Sequence, residues 1–120
     1  KIWTEYIQAH NQRDFEKIVS MNAEDFSGVA ADGQLVSGSV AQKEFLQNWI
    51  AEENPKWRVW WVIANDGENS DGVMEEWLAT GNLVTTIGAD GTEKVSYETI
   101  DVLLEAGKVK TLNVASQQIP

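Results

Sequence analysis

The chain has 120 residues, the size of one domain with a self-sufficient core, and 42% hydrophobic against 23% charged residues is a globular balance. Its formal charge of −10 repels phosphate backbones and anionic lipid headgroups, so neither nucleic acid nor an electrostatic membrane surface is an expected partner. With no cysteine, disulfides, iron–sulfur clusters, thiolate zinc sites and cysteine nucleophiles are excluded. No apolar run approaches the ~18 residues of a bilayer span. The first residue is Lys1 rather than Met, which fits a removed signal peptide and a trimmed chain equally, so the compartment stays open.

The first third reads as helical. Over residues 2–10, Trp3, Tyr6, Ile7 and His10 fall on one helix face. Asn11-Gln12-Arg13-Asp14 interrupts the pattern, and a second short helix follows, with Asp14 as N-cap and Phe15, Ile18 and Val19 apolar. Two strands, Phe26–Ala30 and Gln34–Ser37, are joined across the Asp32-Gly33 turn, with Glu24-Asp25 as a polar lead-in. Ser39 and Gln42 form a capping box for a third helix, whose stripe is Ala41, Phe45, Leu46, Trp49 and Ile50. Asn54-Pro55 ends it.

From there the chain reads as strand. Trp57–Ala64 is apolar on both alternating faces: Trp57, Val59, Trp61 and Ile63 on one, Trp60, Val62 and Ala64 on the other. Residues 65–72 form a polar loop; it superficially resembles a calcium loop, but its glycine falls one place late and Trp77 stands where the closing glutamate belongs. Val73–Ile87 is a long strand with a bulge or bend expected at Gly81. The strands Lys94–Leu104 and Val109–Gln117 follow the Asp90-Gly91 and Ala106-Gly107 turns. Helices grouped ahead of a meander imply one α+β domain, 1–120, in which a curved sheet wraps the helices.

Several segments in order carry a family resemblance: Asn11-x-x-Asp14, the hairpin into Val36-Ser37-Gly38-Ser39, Trp77-Leu78-Ala79-Thr80-Gly81, and the run Ile100 to Val109. Over essentially the whole chain, the sequence resembles the nuclear transport factor 2-like (NTF2-like) superfamily, with the SnoaL-like group the nearest fit. The resemblance implies an α+β, cystatin-like cone, with three N-terminal helices packed in a strongly curved, mainly antiparallel sheet. It implies no one chemistry, because such a fold hosts isomerases, dehydratases, hydrolases and binding proteins.

The catalytic patterns of those relatives are largely missing. A ketosteroid-isomerase-like site needs a carboxylate late in the first strand, and the only acid between Ser27 and Val36 is Asp32, at a hairpin tip. A scytalone-dehydratase-like site needs two histidines, and the chain has one. A limonene-epoxide-hydrolase-like site needs Arg-x-Asp, which does not occur. A SnoaL-like cyclase carries an Asp on its final strand, where Asn113 is the best polar candidate here.

Two titratable candidates remain. Asp101, on a strand face with Tyr97, Thr99 and Leu103, would be a general base if that face lines a cavity, and a solvated or cross-strand-paired carboxylate if it does not. His10 shares the apolar face of the first helix, as a hydrogen-bonded core residue or as a catalytic aid to Asp101.

The expected function is a small-molecule-binding domain with an aromatic, apolar pocket formed by Tyr6, His10, Trp61, Trp77, Asp101 and Asn113. The alternative is a cofactor-independent SnoaL-like isomerase, cyclase or hydrolase using Asp101. No cofactor or metal site is expected, since one histidine without cysteine builds no structural zinc site. The partners expected are a small hydrophobic ligand and a second copy of the chain, docked through the outer face of the sheet, because residues 57–64 are apolar on both sides.

Overall fold

The computed structural model describes residues 1–119. Its helices are α1 (Ile2–Asn11), α2 (Phe15–Met21) and α3 (Ser39–Glu53). The strands are β1 (Asn22–Val29), β2 (Leu35–Ser37), β3 (Lys56–Ala64), β4 (Gly67–Glu68), β5 (Met74–Ile87), β6 (Glu93–Glu105) and β7 (Lys108–Ile119). They form a sheet in the order β2-β1-β7-β6-β5-β3, with β4 pairing to β5. Among the described residues only the β1–β7 pair is parallel, so the sheet is mixed, and it is not closed.

The apolar stripe of α1 packs inward as its spacing requires, with Trp3, Tyr6, Ile7 and His10 all buried. Its C-terminal end is tied to β3 by Asn11. The Asn11 amide donates to the Trp57 carbonyl at 2.7 Å and accepts the Trp57 N–H at 2.8 Å, as a neighbouring strand would. The Arg13 guanidinium adds bonds to the carbonyls of His10 (3.0 Å) and Pro55 (2.7 Å). Asp14 caps α2 as expected, accepting the Lys17 N–H at 3.1 Å. The core beneath the helices includes Trp3, Ile18, Phe26, Leu46, Val84 and Val102.

Three local expectations are corrected. β1 begins at Asn22, so Glu24 and Asp25 belong to the strand rather than leading into it. The capping box does not form: Gly38, at φ 86, occupies the N-cap position of α3, and no side chain caps it. Ser39 and Gln42 instead both bond to the side chain of Asn22, across the interior. Finally, β5 pairs with β6 without a break through Gly81, and the irregularity lies opposite, in β3, between Val59 and Trp61.

That bulge matters, because an extra residue shifts the inside–outside alternation of the strand. Trp57, Val59 and Val62 pack on the helix side. Trp60 and Trp61 both reach Tyr97 on the other side of the sheet: the Trp61 indole donates to its hydroxyl at 3.0 Å, and the Trp60 ring meets its ring edge-on at 5.6 Å. The strict alternation expected for Trp57–Ala64 therefore fails after Val59.

Candidate functional site

Between the helices and the inner face of the sheet lies a cavity of about 780 Å³ with an open mouth. Small-ligand pockets span roughly 300–1,000 Å³, so a compact organic molecule fits. Its walls come from α1 (Trp3, Tyr6, His10), α3 (Phe45, Leu46, Trp49), Trp57 of β3, and the inward residues of β1, β6 and β7, among them Phe26, Glu98 and Leu112.

The aromatic side chains form a continuous wall. Tyr6 lies 5.6 Å from Trp3 and 4.7 Å from His10, between ring centroids. Trp57 then meets His10 edge-on at 5.4 Å and Trp49 edge-on at 5.4 Å, and Trp49 meets Phe45 at 6.2 Å. Such spacings fall within the favourable range for aromatic pairs, ~4.5–7 Å.

The polar groups of this wall divide into satisfied and available ones. The Tyr6 hydroxyl donates to Asn22 Oδ1 at 2.7 Å and accepts from Gln42 Nε2 at 2.8 Å, while Asn22 donates to Gln42 Oε1 at 2.7 Å. This closed triangle commits the hydroxyl to the fold. Burial pushes its pKa above the ordinary phenol value, with the Gln42 bond opposing, so it stays protonated. The Trp3 indole is likewise committed, donating to Asn82 Oδ1 at 3.0 Å.

His10 is different. Its Nδ1 lies 2.7 Å from the Tyr6 carbonyl, an acceptor only, so Nδ1 carries the proton and Nε2 is left as an acceptor. Burial lowers its pKa to about 4; the Tyr6 bond opposes this and the Arg13 charge reinforces it. At neutral pH the ring is uncharged.

Glu98 is the group that sequence reasoning missed. It lines the cavity from β6 with only 7% of its surface exposed. Desolvation raises its pKa from 4.5 to about 7, partly offset by the Trp57 side chain. The ion pairs among the described residues join Lys110 to Asp25 and Glu105, so Glu98 has no cationic partner. A carboxyl group poised near neutrality can donate or accept a hydrogen bond, or move a proton. A signal for it exists in the sequence: Glu98 shares its strand face with Ile100, Val102 and Leu104.

Of the six residues expected at the pocket, Tyr6 and His10 line the cavity. Trp61, Trp77, Asp101 and Asn113 do not. On β6, Ile100 and Val102 are buried and Asp101 between them is exposed, the reverse of the register that would aim Asp101 inward. Asp101 pairs with Asn113 of β7 and Ala79 of β5, and together with Trp77 they edge a shallower polar hollow of about 370 Å³ on the other side of the sheet. Trp61 is carried outward by the β3 bulge. Asp32 sits at the β1–β2 turn, where its Oδ1 accepts the Gln34 N–H at 3.0 Å, and it reaches the cavity only at the rim. Among the described residues, no three His, Asp or Glu side chains are grouped as a metal ion would need. Among the described residues, no helix is long and apolar enough to cross a membrane.

No protein-family model matches the sequence, and no curated protein matches it. Solved structures match in fold. An NTF2-like protein of unknown function from Exiguobacterium sp. 255-15 aligns with a TM-score of 0.78 at 19% identity, covering 98% of each chain. SalBIII, an epoxide hydrolase/cyclase-like enzyme of pyran ring formation in the polyether salinomycin, aligns at 0.74 and 18% identity, over 97% of this chain and 88% of that one. RV0760c from Mycobacterium tuberculosis, in complex with estradiol-17beta-hemisuccinate, aligns at 0.71 and 13% identity, over 94% and 88%. The fold is therefore NTF2-like, as the sequence resemblance implied. Within that fold, neighbours include cyclase-like enzymes and ligand-binding proteins alike.

Proposed function

We propose that the chain, acting as one domain over residues 1–120, binds a small hydrophobic molecule in the cavity between its helices and sheet. The observation that carries this reading is an aromatic-walled space of about 780 Å³ whose lining includes the buried carboxyl of Glu98 and the buried imidazole of His10. A steroid derivative bound to a protein of the same fold supports the ligand class. A sheet curved strongly around the helices, as a cone, is the shape this reading requires.

A second reading, a cofactor-independent enzyme, is favoured by one feature. Glu98 titrates near neutrality inside the cavity, so the acid/base role once open to Asp101 passes to Glu98. Asp101 itself faces away. Binding is the better-supported reading, because it needs only the cavity.

Assembly belongs to the same proposal. Trp60 and Ile63 are 66% and 57% exposed, and they share the outer side of the sheet with Trp61 and Tyr97. A patch of this kind is unusual on a soluble monomer. A second copy, docked face to face by a twofold axis, is the occupant we propose.

The test of the pocket is a thermal-shift and Trp-fluorescence screen of hydrophobic acids, ketones and amines. Binders are expected to raise the melting temperature and quench fluorescence, and Trp49→Ala is expected to remove the quench. A screen in which no compound does either rejects the reading.

A further inference from the structure

We propose that the cavity selects a hydrophobic amine, whose ammonium group pairs with the Glu98 carboxylate while its apolar body lies along the wall formed by Trp57, Trp49 and Phe45. The inference rests on the cavity being a ligand site, and it names the chemical class of the ligand.

Three observations carry it. First, Glu98 is buried without a cationic partner among the described residues, in a space walled mainly by apolar groups. A carboxylate in that position is costly until a cation joins it, so a ligand cation gains more there than at a solvated acid. Second, the aromatic wall adjoins Glu98: the Trp57 side chain hydrogen-bonds to its carboxyl group, and Trp57 in turn meets His10 and Trp49 edge-on at 5.4 Å. Ring faces attract ammonium groups and do not attract carboxylates. Third, the mouth of the cavity is acidic. Asp32 from the β1–β2 turn and Glu44, Glu52 and Glu53 from α3 line it, against Lys94 of β6 alone. Together with the overall charge of −10, this rim draws cations inward and turns anions away.

The remaining groups are compatible. From α1, Tyr6 is committed to its hydrogen-bonded triangle and His10 is neutral, so neither puts a positive charge in the cavity to oppose an ammonium. β3, β5 and β7 contribute no charged side chain to the lining. Among the described residues Lys94 is the one cation of the lining, and it is not paired with Glu98.

The pH dependence follows with a definite sign. Below about pH 7 Glu98 is protonated in the free protein and cannot form the pair. As the pH rises through that value the carboxylate forms while the amine remains protonated, so amine affinity rises and then levels off. In the transition region each binding event displaces a fraction of a proton from Glu98 to the buffer.

The experiment is calorimetric titration of the intact chain with phenylbutylamine, phenylbutanol and phenylbutyrate, across about pH 5.5 to 8 and in two buffers of different ionisation enthalpy. The expected result is that the amine binds at least about tenfold more tightly than the alcohol at the upper pH, with proton release just below neutrality. Glu98→Gln is expected to bring amine and alcohol within about threefold of one another and to remove the pH dependence. Tighter binding of the alcohol or of phenylbutyrate overturns the amine inference and leaves the pocket reading standing. Equal amine affinity in the wild type and Glu98→Gln, with Glu98→Gln folded by its melting curve, also overturns it. Silence from all three compounds removes the pocket reading and the inference together.

Discussion

The indole nitrogen of Trp61 occupies the space that a β-carbon on Gly81 would need. The Tyr97 hydroxyl, which accepts the Trp61 N–H, would lie only 2.7 Å from the same atom. Glycine at 81 is thus required by a side chain on the neighbouring strand, while β5 itself stays regular there. Gly81→Ala is expected to unseat Trp61 and cost about 1–3 kcal/mol, the usual range for overpacking a well-filled site. Denaturant unfolding measures the loss, and a Trp61 that becomes more solvated shifts its emission to the red. A melting curve identical to that of the wild type would mean that Trp61 does not sit over Gly81.

Glu98 and His10 are expected to impose opposite pH slopes on stability. The Glu98 pKa is raised on folding, so its contribution is present below its unfolded value of 4.5 and is lost as the pH rises to about 7. The His10 pKa is depressed, so its contribution is present above 6.5 and is lost as the pH falls to about 4. Each shift corresponds to roughly 3 kcal/mol at ~1.4 kcal/mol per pKa unit, and over the shared window the two nearly cancel. Glu98→Gln should therefore be more stable than the wild type at pH 8, with stability that climbs from acid pH and then holds. A Glu98→Gln curve parallel to the wild type at every pH would contradict the burial of this carboxyl.

Tyr6→Phe tests the hydrogen-bonded triangle. Without the hydroxyl, Asn22 Oδ1 loses a donor and Gln42 Nε2 loses its acceptor, both inside the protein. The expected cost is about 1–3 kcal/mol, the penalty of stranding buried polar groups. Urea titration should show an earlier midpoint with an unchanged slope; an unmoved midpoint would count against the network.

Trp49→Ala is expected to separate binding from folding. Trp49 is half-buried, standing between Phe45 and Trp57 with its indole donating to Glu53 at 2.8 Å. Its removal should cost less than the ~3–5 kcal/mol of a fully buried aromatic. Ligand-induced quenching, by contrast, should be lost. If stability falls by the full amount and quenching persists, Trp49 is core rather than cavity wall.

Trp60→Glu is expected to leave the fold intact and change assembly, since the ring is 66% exposed on the outer side of the sheet. Sedimentation at micromolar concentration should show a dimer for the wild type and a monomer for the variant. A wild-type monomer under those conditions removes the dimer from the proposal.

Much of the fold was legible because its signals are local. The α1 stripe, the Asp14 cap and the order of the four long strands after α3 depend on residues a few positions apart, and periodicity or turn chemistry reports them directly; the two-residue β4, inside the expected 65–72 loop, is too short to show. Tyr6 and His10 could be placed at the cavity for the same reason: a helix has one apolar stripe, and everything on it faces inward. A strand has two faces separated by a single-residue shift, and only the layer packed on it decides which is inside. Asp101 and Glu98 lie three residues apart on β6 but on opposite faces, and the core that forms on the Ile100 and Val102 face settles which of them meets the cavity. Two further features needed neighbours distant in the chain. The bulge that sends Trp60 and Trp61 to one side lies opposite Gly81 of β5, and Ser39 and Gln42 gave up their capping box because Asn22, brought beside them by β1, offers buried partners. The sequence by itself therefore determined the class of fold and the helical side of the site; tertiary structure chose the acidic group inside it, because strand register is set by what packs on the sheet.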